Sequence, residues 1–203
     1  MVARRDFLIG LAAVPMVAAA PARNPAALVA AARRQIGVTT GFDQGYRRIG
    51  YPGGDPPRST GVCADVIVRA VRDAWGLDLQ QLVHEDMSRH FAAYPHRWGL
   101  PGPDSNIDHR RVPNLETYWS RQGAKLGRPA IGLASAFGSH DLQPGDFLTW
   151  RKFAGGGPHV AMVSQGGPWP KIIENRGLGV HEEPLAILAM TPADEHYRWR
   201  PAV

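Results

Sequence analysis

The chain has 203 residues, of which 44% are hydrophobic, and a formal charge of +5. This size and composition are typical of a globular protein with one domain and a real core. The basic residues form no run and no aromatic-interleaved patch, which argues against a nucleic acid partner, and a single cysteine excludes an intramolecular disulfide.

The first 22 residues predict an export signal. Two arginines in the run RRDFL at residues 4–8 lead into an apolar stretch over residues 7–20, and Ala-Pro-Ala follows at residues 20–22. The stretch is shorter than the roughly 20 apolar residues that a spanning helix needs, and Pro15 interrupts it. We therefore expect a cleaved leader rather than a membrane anchor.

The RRDFL run further resembles a twin-arginine export signal. We expect residues 1–22 to be a twin-arginine-like signal peptide and residues 23–203 to form a single domain. The location would then be periplasmic or otherwise exported, without stable membrane insertion after cleavage.

Helices are predicted in the first two thirds of the chain, where apolar residues recur with helical spacing between capping residues and glycines. The expected helices run from Pro25 to about Gly37, from Cys63 to Gly76, from Gln80 to Ala93, and from Asn114 to Gln122. Residues 38–62 and 94–113 are rich in glycine, proline and charge, which indicates two long loops.

Strands are predicted in the last third, where short apolar or alternating runs lie between glycine and proline turns. The runs are DFLTWR at residues 146–151, HVAMVS at 159–164, KIIEN at 171–175 and HYRWR at 196–200. Helices first and strands later indicate an α+β domain with an antiparallel sheet.

Cys63 lies where a glycine-containing loop leads into the apolar second helix. At a helix N-terminus the dipole and the unpaired backbone amides favour a thiolate, and the same amides can stabilise an oxyanion. The alternatives are an inert buried thiol or an intermolecular disulfide. The position favours a nucleophile without excluding either.

His159 begins an apolar strand and is the candidate general base for this thiol. An ordinary histidine at the end of a strand is the alternative. A third group should orient the imidazole, and Glu174 and Asn175 at the end of the next strand are the candidates. Because strand side chains alternate, we expect only one of the two to reach His159.

The sequence predicts neither a metal nor a cofactor. His84 and His90 are six positions apart, and Ser88 stands where a zinc-binding helix would have its second histidine. The glycines at 155–157 lack the lysine and hydroxyl residues of a phosphate-binding loop.

Four motifs together resemble the NlpC-type cell-wall peptidases of the papain-like superfamily. In chain order they are YPGGDPPRSTGVCADVIVRA at residues 51–70, LQPGDFLTW at 142–150, then HVAMVS and KIIEN. The segments GVCADVIVRA, LVHEDM, NIDHRRVPNL and HYRW resemble an uncharacterised bacterial branch of that superfamily.

The resemblance implies a papain-like fold, with the catalytic cysteine at a helix N-terminus packed against an antiparallel sheet. It implies a cysteine peptidase or amidase that cleaves peptidoglycan stem peptides, with Cys63 as nucleophile and His159 as base. The superfamily's third residue aligns with Glu174. Papain-like enzymes in general use an asparagine as orienter, so our preferred candidate is Asn175.

Candidate substrate-binding residues follow from the resemblance and from a polar loop, where binding groups often lie. They are Tyr51, Asp65, Asp108, His109 and Arg110. Arg110 or its neighbour Arg111 can grip a carboxylate of a peptidoglycan-derived peptide, although an ion pair with Asp108 is an equal alternative. We expect a monomer.

The sequence departs from the superfamily pattern on either side of the cysteine. Val62 and Ala64 stand where aspartate and serine are usual. Two other functions therefore remain open: an acyl, ester or other amide hydrolase on the same scaffold, and a non-catalytic module that binds the cell envelope.

Overall fold

The structure, a computed structural model, describes residues 23–129, 141–154 and 156–201. The predicted leader at residues 1–22 lies outside this part. The α-helices are α1 (Pro25–Arg33), α2 (Cys63–Trp75), α3 (Leu79–Arg89) and α4 (Val112–Arg121). The strands are β1 (Gly41–Phe42), β2 (Thr60–Gly61), β3 (Lys125–Gly127), β4 (Phe147–Trp150), β5 (His159–Gln165), β6 (Lys171–Glu174), β7 (His181–Pro184) and β8 (Glu195–Tyr197).

The strands of the last third form one six-stranded sheet in the order β3-β8-β4-β5-β6-β7. Every pairing in it is antiparallel. The expected α+β class, helices followed by an antiparallel sheet, is confirmed. Strands β1 and β2 form a separate parallel pair directly before α2. Within the described ranges, no helix is both long and apolar enough to cross a membrane.

The sheet separates two hydrophobic clusters, because successive side chains of a strand point to opposite faces. On one face Phe147, Met162 and Ile173 pack against residues of α1, α2 and α4. On the other face, Leu148 and Ile172 belong to a smaller cluster. Cys63 belongs to the larger cluster, so the packing of α2 against the sheet fixes the position of the thiol relative to the strands.

Three helix boundaries differ from the prediction by more than one residue. Helix α1 ends at Arg33, four residues before Gly37. Helix α3 ends at Arg89, and residues 91–93 form a separate 3₁₀ turn. Helix α4 begins at Val112 because Pro113, in its first turn, favours a helix start. Asn114 is therefore not a cap; it is buried and donates a hydrogen bond to the Asp108 carbonyl at 3.2 Å.

The buried carboxylate of Asp146 ties the start of β4 to the C-terminal segment. It accepts hydrogen bonds from His196 Nε2 at 2.8 Å and from Arg198 Nη2 at 2.9 Å, with Arg200 Nη2 3.4 Å away. The Gln143 amide donates to it at 2.9 Å. Burial alone would raise the pKa of Asp146, but its contacts, first with His196 and Arg198, lower it.

We predict that Asp146→Ala destabilises the fold by about 3–5 kcal/mol. The half-buried guanidiniums of Arg198 and Arg200 lose their counter-charge, and the buried His196 ring loses its acceptor. Asp141→Ala, an exposed aspartate of the same loop, is the matched control. The measurement is urea unfolding at pH 7. A depressed carboxyl pKa stabilises the fold above a pH of about 4 and ceases to do so as the pH falls. The gap between the variants should therefore narrow in acid; a gap that widens would contradict this account.

Candidate active site

The local sequence places the Cys63 thiol at the first turn of α2. Val62 is extended and precedes the helix, and its amide donates to Asp65 Oδ2 at 2.7 Å, which closes the turn. The first amides of a helix lack i−4 acceptors, so a side chain at the helix N-terminus lies close to backbone donors. Cys63 is buried, with 6% of its surface exposed. The position is therefore suited to a negatively charged sulfur.

His159 opens β5 and faces the Cys63 thiol. Its ring packs against Phe153, with centroids 4.4 Å apart, and against Trp150 at 5.5 Å. Burial disfavours the imidazolium, but hydrogen bonding and charge attraction from Cys63 and then Glu174 outweigh it and raise the pKa of His159 to about 9. The contacts of His159 with Cys63 and Glu174 therefore favour the imidazolium at neutral pH.

Glu174, the last residue of β6, contacts the imidazole of His159. Its Oε2 contacts His159 Nε2, and its Oε1 contacts Arg176 Nη1. Because Nε2 faces the carboxylate, Nδ1 is the ring nitrogen left for the thiol. Burial alone would raise the pKa of Glu174, but the contact with His159 leads the effects that lower it. Glu174 is thus a buried anion that holds the ring in one orientation.

Our preference for Asn175 as the orienter is wrong. The Asn175 side chain points away from His159, and its Nδ2 donates to the carbonyls of Gly41 at 3.1 Å and Gly61 at 3.0 Å. Strand alternation separates it from Glu174, as expected. Asn175 instead links β1 and β2 to the end of β6 by hydrogen bonds. Because Gly61 directly precedes Val62, this link also holds the segment that leads into α2.

The Glu174 carboxylate belongs to a cluster of potential metal ligands. Glu174, His181 and Glu183 each bring a ligand atom within 4.8 Å of the others. The guanidinium of Arg176 contacts both carboxylates, so each of them already has a cationic partner. The geometry does not require a metal there.

Asp65 and Arg110, both expected to bind substrate, bind each other. Arg110 Nε and Nη2 donate to the two oxygens of Asp65 at 2.8 and 2.9 Å, and Nη2 also donates to the Asp43 carbonyl at 3.1 Å. Both side chains are 3% exposed. The Asp65 carboxylate is occupied by this pair and by the Val62 amide. Its role in the structure is to brace the turn that carries Cys63.

We predict that Arg110→Met destabilises the protein by about 3–5 kcal/mol, because it strands a buried carboxylate. Adding Asp65→Asn to this variant should recover part of the lost stability, since the uncompensated negative charge is removed. Arg89→Met, an exposed arginine, is the control. Thermal and urea unfolding measure the effect; a double variant no more stable than Arg110→Met would contradict the pairing argument.

The remaining predicted substrate residues do not line the cavity that contains Cys63. Asp108 is buried and binds Arg111 Nη1 at 2.9 Å, which is the ion pair that we had left open. His109 is buried, and its Nδ1 has no hydrogen-bond partner among the described residues; burial lowers its pKa to about 4. Tyr51 packs edge-on against His84, with ring centroids 5.0 Å apart.

Cys63 opens onto a cavity of about 410 Å³. Its described lining comprises Phe42, Gln44, Tyr46, Val62, Cys63, Trp98, Ile107, Arg110, Arg111, Val112, Pro113, Gly157 and Pro158. Arg111 is stacked over the Trp98 ring, 4.0 Å from its centroid. Two of these lining residues are arginines, and their guanidiniums bind the carboxylates of Asp65 and Asp108. The cavity therefore combines aromatic and apolar side chains with two ion-paired arginines.

A family model described as "Domain of unknown function (DUF1287)" matches residues 29–199. The chain belongs to this family. It is 46% identical over 172 residues to "Uncharacterized protein YijF" of Escherichia coli (strain K12), a match that covers 83% of this chain and 80% of that protein.

Among solved structures, this DUF1287 chain is similar to one titled "Crystal structure of NlpC/p60 domain of peptidoglycan hydrolase SagA". The TM-score is 0.45 and the sequence identity 18%, over 87% of this chain and 99% of that one.

Three residues of the site were missed from the sequence. Tyr46 and Trp98 line the cavity from loops that the composition marked only as irregular. Their signal was present, because both are aromatic residues within glycine- and proline-rich segments, where large side chains often serve binding. Arg176 was missed although it follows Glu174 by two residues, a spacing at which side chains of an extended chain share a face.

Proposed function

We propose that this DUF1287 protein is an exported cysteine hydrolase that cleaves an amide bond. The observation that carries the proposal is the buried line of Cys63, His159 and Glu174, in which a thiol at a helix N-terminus meets an imidazole held by a carboxylate. Nucleophile, base and orienter in that order are the parts that covalent acyl transfer requires.

In the proposed reaction, the Cys63 thiolate attacks the carbonyl carbon of the scissile amide. Backbone N–H groups at the start of α2 stabilise the oxyanion. His159 then donates its proton to the leaving amine, and the C–N bond breaks to leave a thioester on Cys63. Water attacks this acyl-enzyme, His159 accepts a proton from it, and the thiolate returns as the acid product leaves. Glu174 keeps the imidazole oriented throughout.

The proposed substrate is a peptidoglycan stem peptide. The ordered motifs that resemble NlpC-type peptidases support it, and so does the composition of the cavity. Stem peptides carry free carboxylates, and the cavity presents Arg111, which binds Asp108 through Nη1, beside the aromatic ring of Trp98. In the proposed complex the other N–H groups of Arg111 bind the substrate carboxylate. A bond beside such a carboxylate, for example between D-glutamate and the diamino acid, is the proposed cleavage point.

Export is the second part of the proposal, since peptidoglycan lies outside the cytoplasm. It is supported by the arginine pair and apolar stretch of residues 1–22. Replacement of Arg4 and Arg5 by lysine should retain the protein in the cytoplasm if the twin-arginine route is used. Fractionation of cells that produce either form tests this; equal export of both would contradict that route.

Digestion of purified stem peptides tests the activity, with products identified by mass spectrometry. New fragments that appear with the native protein and vanish with Cys63→Ala would support the proposal and identify the bond. Turnover of esters or acyl groups without peptide cleavage would favour the alternative hydrolase, to which Val62 and Ala64 point. No turnover of any of these would favour a binding module.

A further inference from the structure

Arg176 contacts Glu174, the carboxylate that we assign to orienting His159. Its Nη1 contacts Glu174 Oε1 and Glu183 Oε1, and its Nη2 donates to Glu183 Oε2 at 2.8 Å. The two oxygens of Glu174 therefore have different neighbours: an imidazole at Oε2 and a guanidinium at Oε1.

Strand β7 holds this guanidinium in place. Glu183 binds it through both carboxylate oxygens, the paired geometry that a planar guanidinium favours. The Arg176 side chain is 22% exposed, whereas that of Glu174 is fully buried. Solvent therefore screens the attraction between the two only weakly.

We propose that Arg176 is a positioning residue for the reaction, which fixes the rotamer of Glu174 and offsets part of its negative charge. This inference rests on the proposed function. A buried carboxylate without such a counter-charge would hold the imidazolium proton too firmly for transfer to a leaving amine.

The charged and titratable groups around the His159–Glu174 pair come from several elements. Cys63 of α2 faces the imidazole, while Arg176, which follows β6, contacts the carboxylate. From β7, His181 Nε2 lies 3.7 Å from Glu174 Oε1 and 3.6 Å from Glu183 Oε1. Arg176 contacts both carboxylates more closely than His181 does.

The test is a pH titration of His159, followed by NMR of the imidazole nitrogens in histidine-labelled protein and assigned with His159→Gln. Arg176→Met should raise the His159 midpoint by about 0.5–1 pH unit, because a nearby positive charge is lost. Arg176→Lys should return the midpoint towards that of the native protein. The matched control is Arg33→Met, which breaks an arginine pair with Glu182 on the same strand and should leave the midpoint in place.

A second variant keeps the inference testable if Arg176→Met does not fold. Glu183→Gln removes a negative charge and frees the guanidinium for Glu174 alone, so the His159 midpoint should fall. An unchanged or lowered midpoint in Arg176→Met, or a raised one in Glu183→Gln, would overturn the inference.

The titration needs no substrate, so it separates the two proposals. Shifts in the expected directions in a protein that cleaves nothing would support the role of Arg176 and remove only the proposed hydrolysis. Where turnover is measurable, Arg176→Met should lower kcat by about tenfold with little change in KM, because proton release slows while the cavity is unaltered.

Discussion

His159→Gln should lower the turnover of a cleavable stem peptide at least about a thousandfold, and Cys63→Ala should lower it as far. The physical reason is that the two side chains act as a unit in the proposed mechanism. Without the imidazole, the thiol lacks a partner that stabilises its charged form, and the leaving amine lacks a proton donor. The measurement is kcat/KM at pH 7, from the rate at which the cleaved peptide appears.

The matched control for this prediction is His96→Gln, which removes an exposed histidine that packs against Phe91. It should leave kcat/KM unchanged. The double variant Cys63→Ala/His159→Gln should be no slower than either single variant, since members of one catalytic unit are not additive. Losses that multiply in the double variant would mean that the two residues act independently, contrary to the site described above.

Glu174→Gln should move the alkaline limb of the pH–activity profile to lower pH by about one unit or more, and should reduce kcat/KM by roughly 10²–10⁴-fold. The native limb should lie near pH 9, the pKa of His159, because activity requires the protonated imidazole. Removal of the Glu174 charge takes away part of what raises that pKa, so the proton leaves at lower pH. The measurement is kcat/KM between pH 5 and 10.

Asn175→Ala is the matched comparison, since it alters the neighbouring side chain that was our first candidate. We expect its alkaline limb to stay in place. Its effect should instead be a loss of stability of about 1–3 kcal/mol, because the Gly41 and Gly61 carbonyls lose their donor. If Asn175→Ala shifted the limb and Glu174→Gln did not, the orienter would have been assigned to the wrong residue.

The main elements of the fold were predictable because their signals are local. Helix α2 begins at Cys63 and stops at Gly76, which adopts a φ of 65° that favours glycine. The apolar runs of β4, β5 and β6 were equally clear. Strands β3 and β7 were missed, because they lie at the sheet edges, where few apolar residues are needed.

The site was only partly predictable, because its chemistry depends on long-range contacts. The position of Cys63 at a helix start is a local property, and the sequence indicated it. Whether Glu174 or Asn175 contacts His159 depends on which of the two side chains lies on the same face of the sheet as His159. The sequence alone does not determine that face. The pairing of Asp65 with Arg110, 45 positions later, likewise follows from the fold alone.

The proposed mechanism depends on a thiolate–imidazolium pair of Cys63 and His159, and alkylation of the single cysteine tests for this pair. The measurement is the rate of reaction with iodoacetamide between pH 4 and 10, in the native protein and in His159→Gln. We predict a reactive thiol at pH 6–7 in the native protein, and a loss of that reactivity in His159→Gln. A native thiol that reacts only above a pH of about 8.5, as free cysteine does, and equally fast in His159→Gln, would contradict the claim.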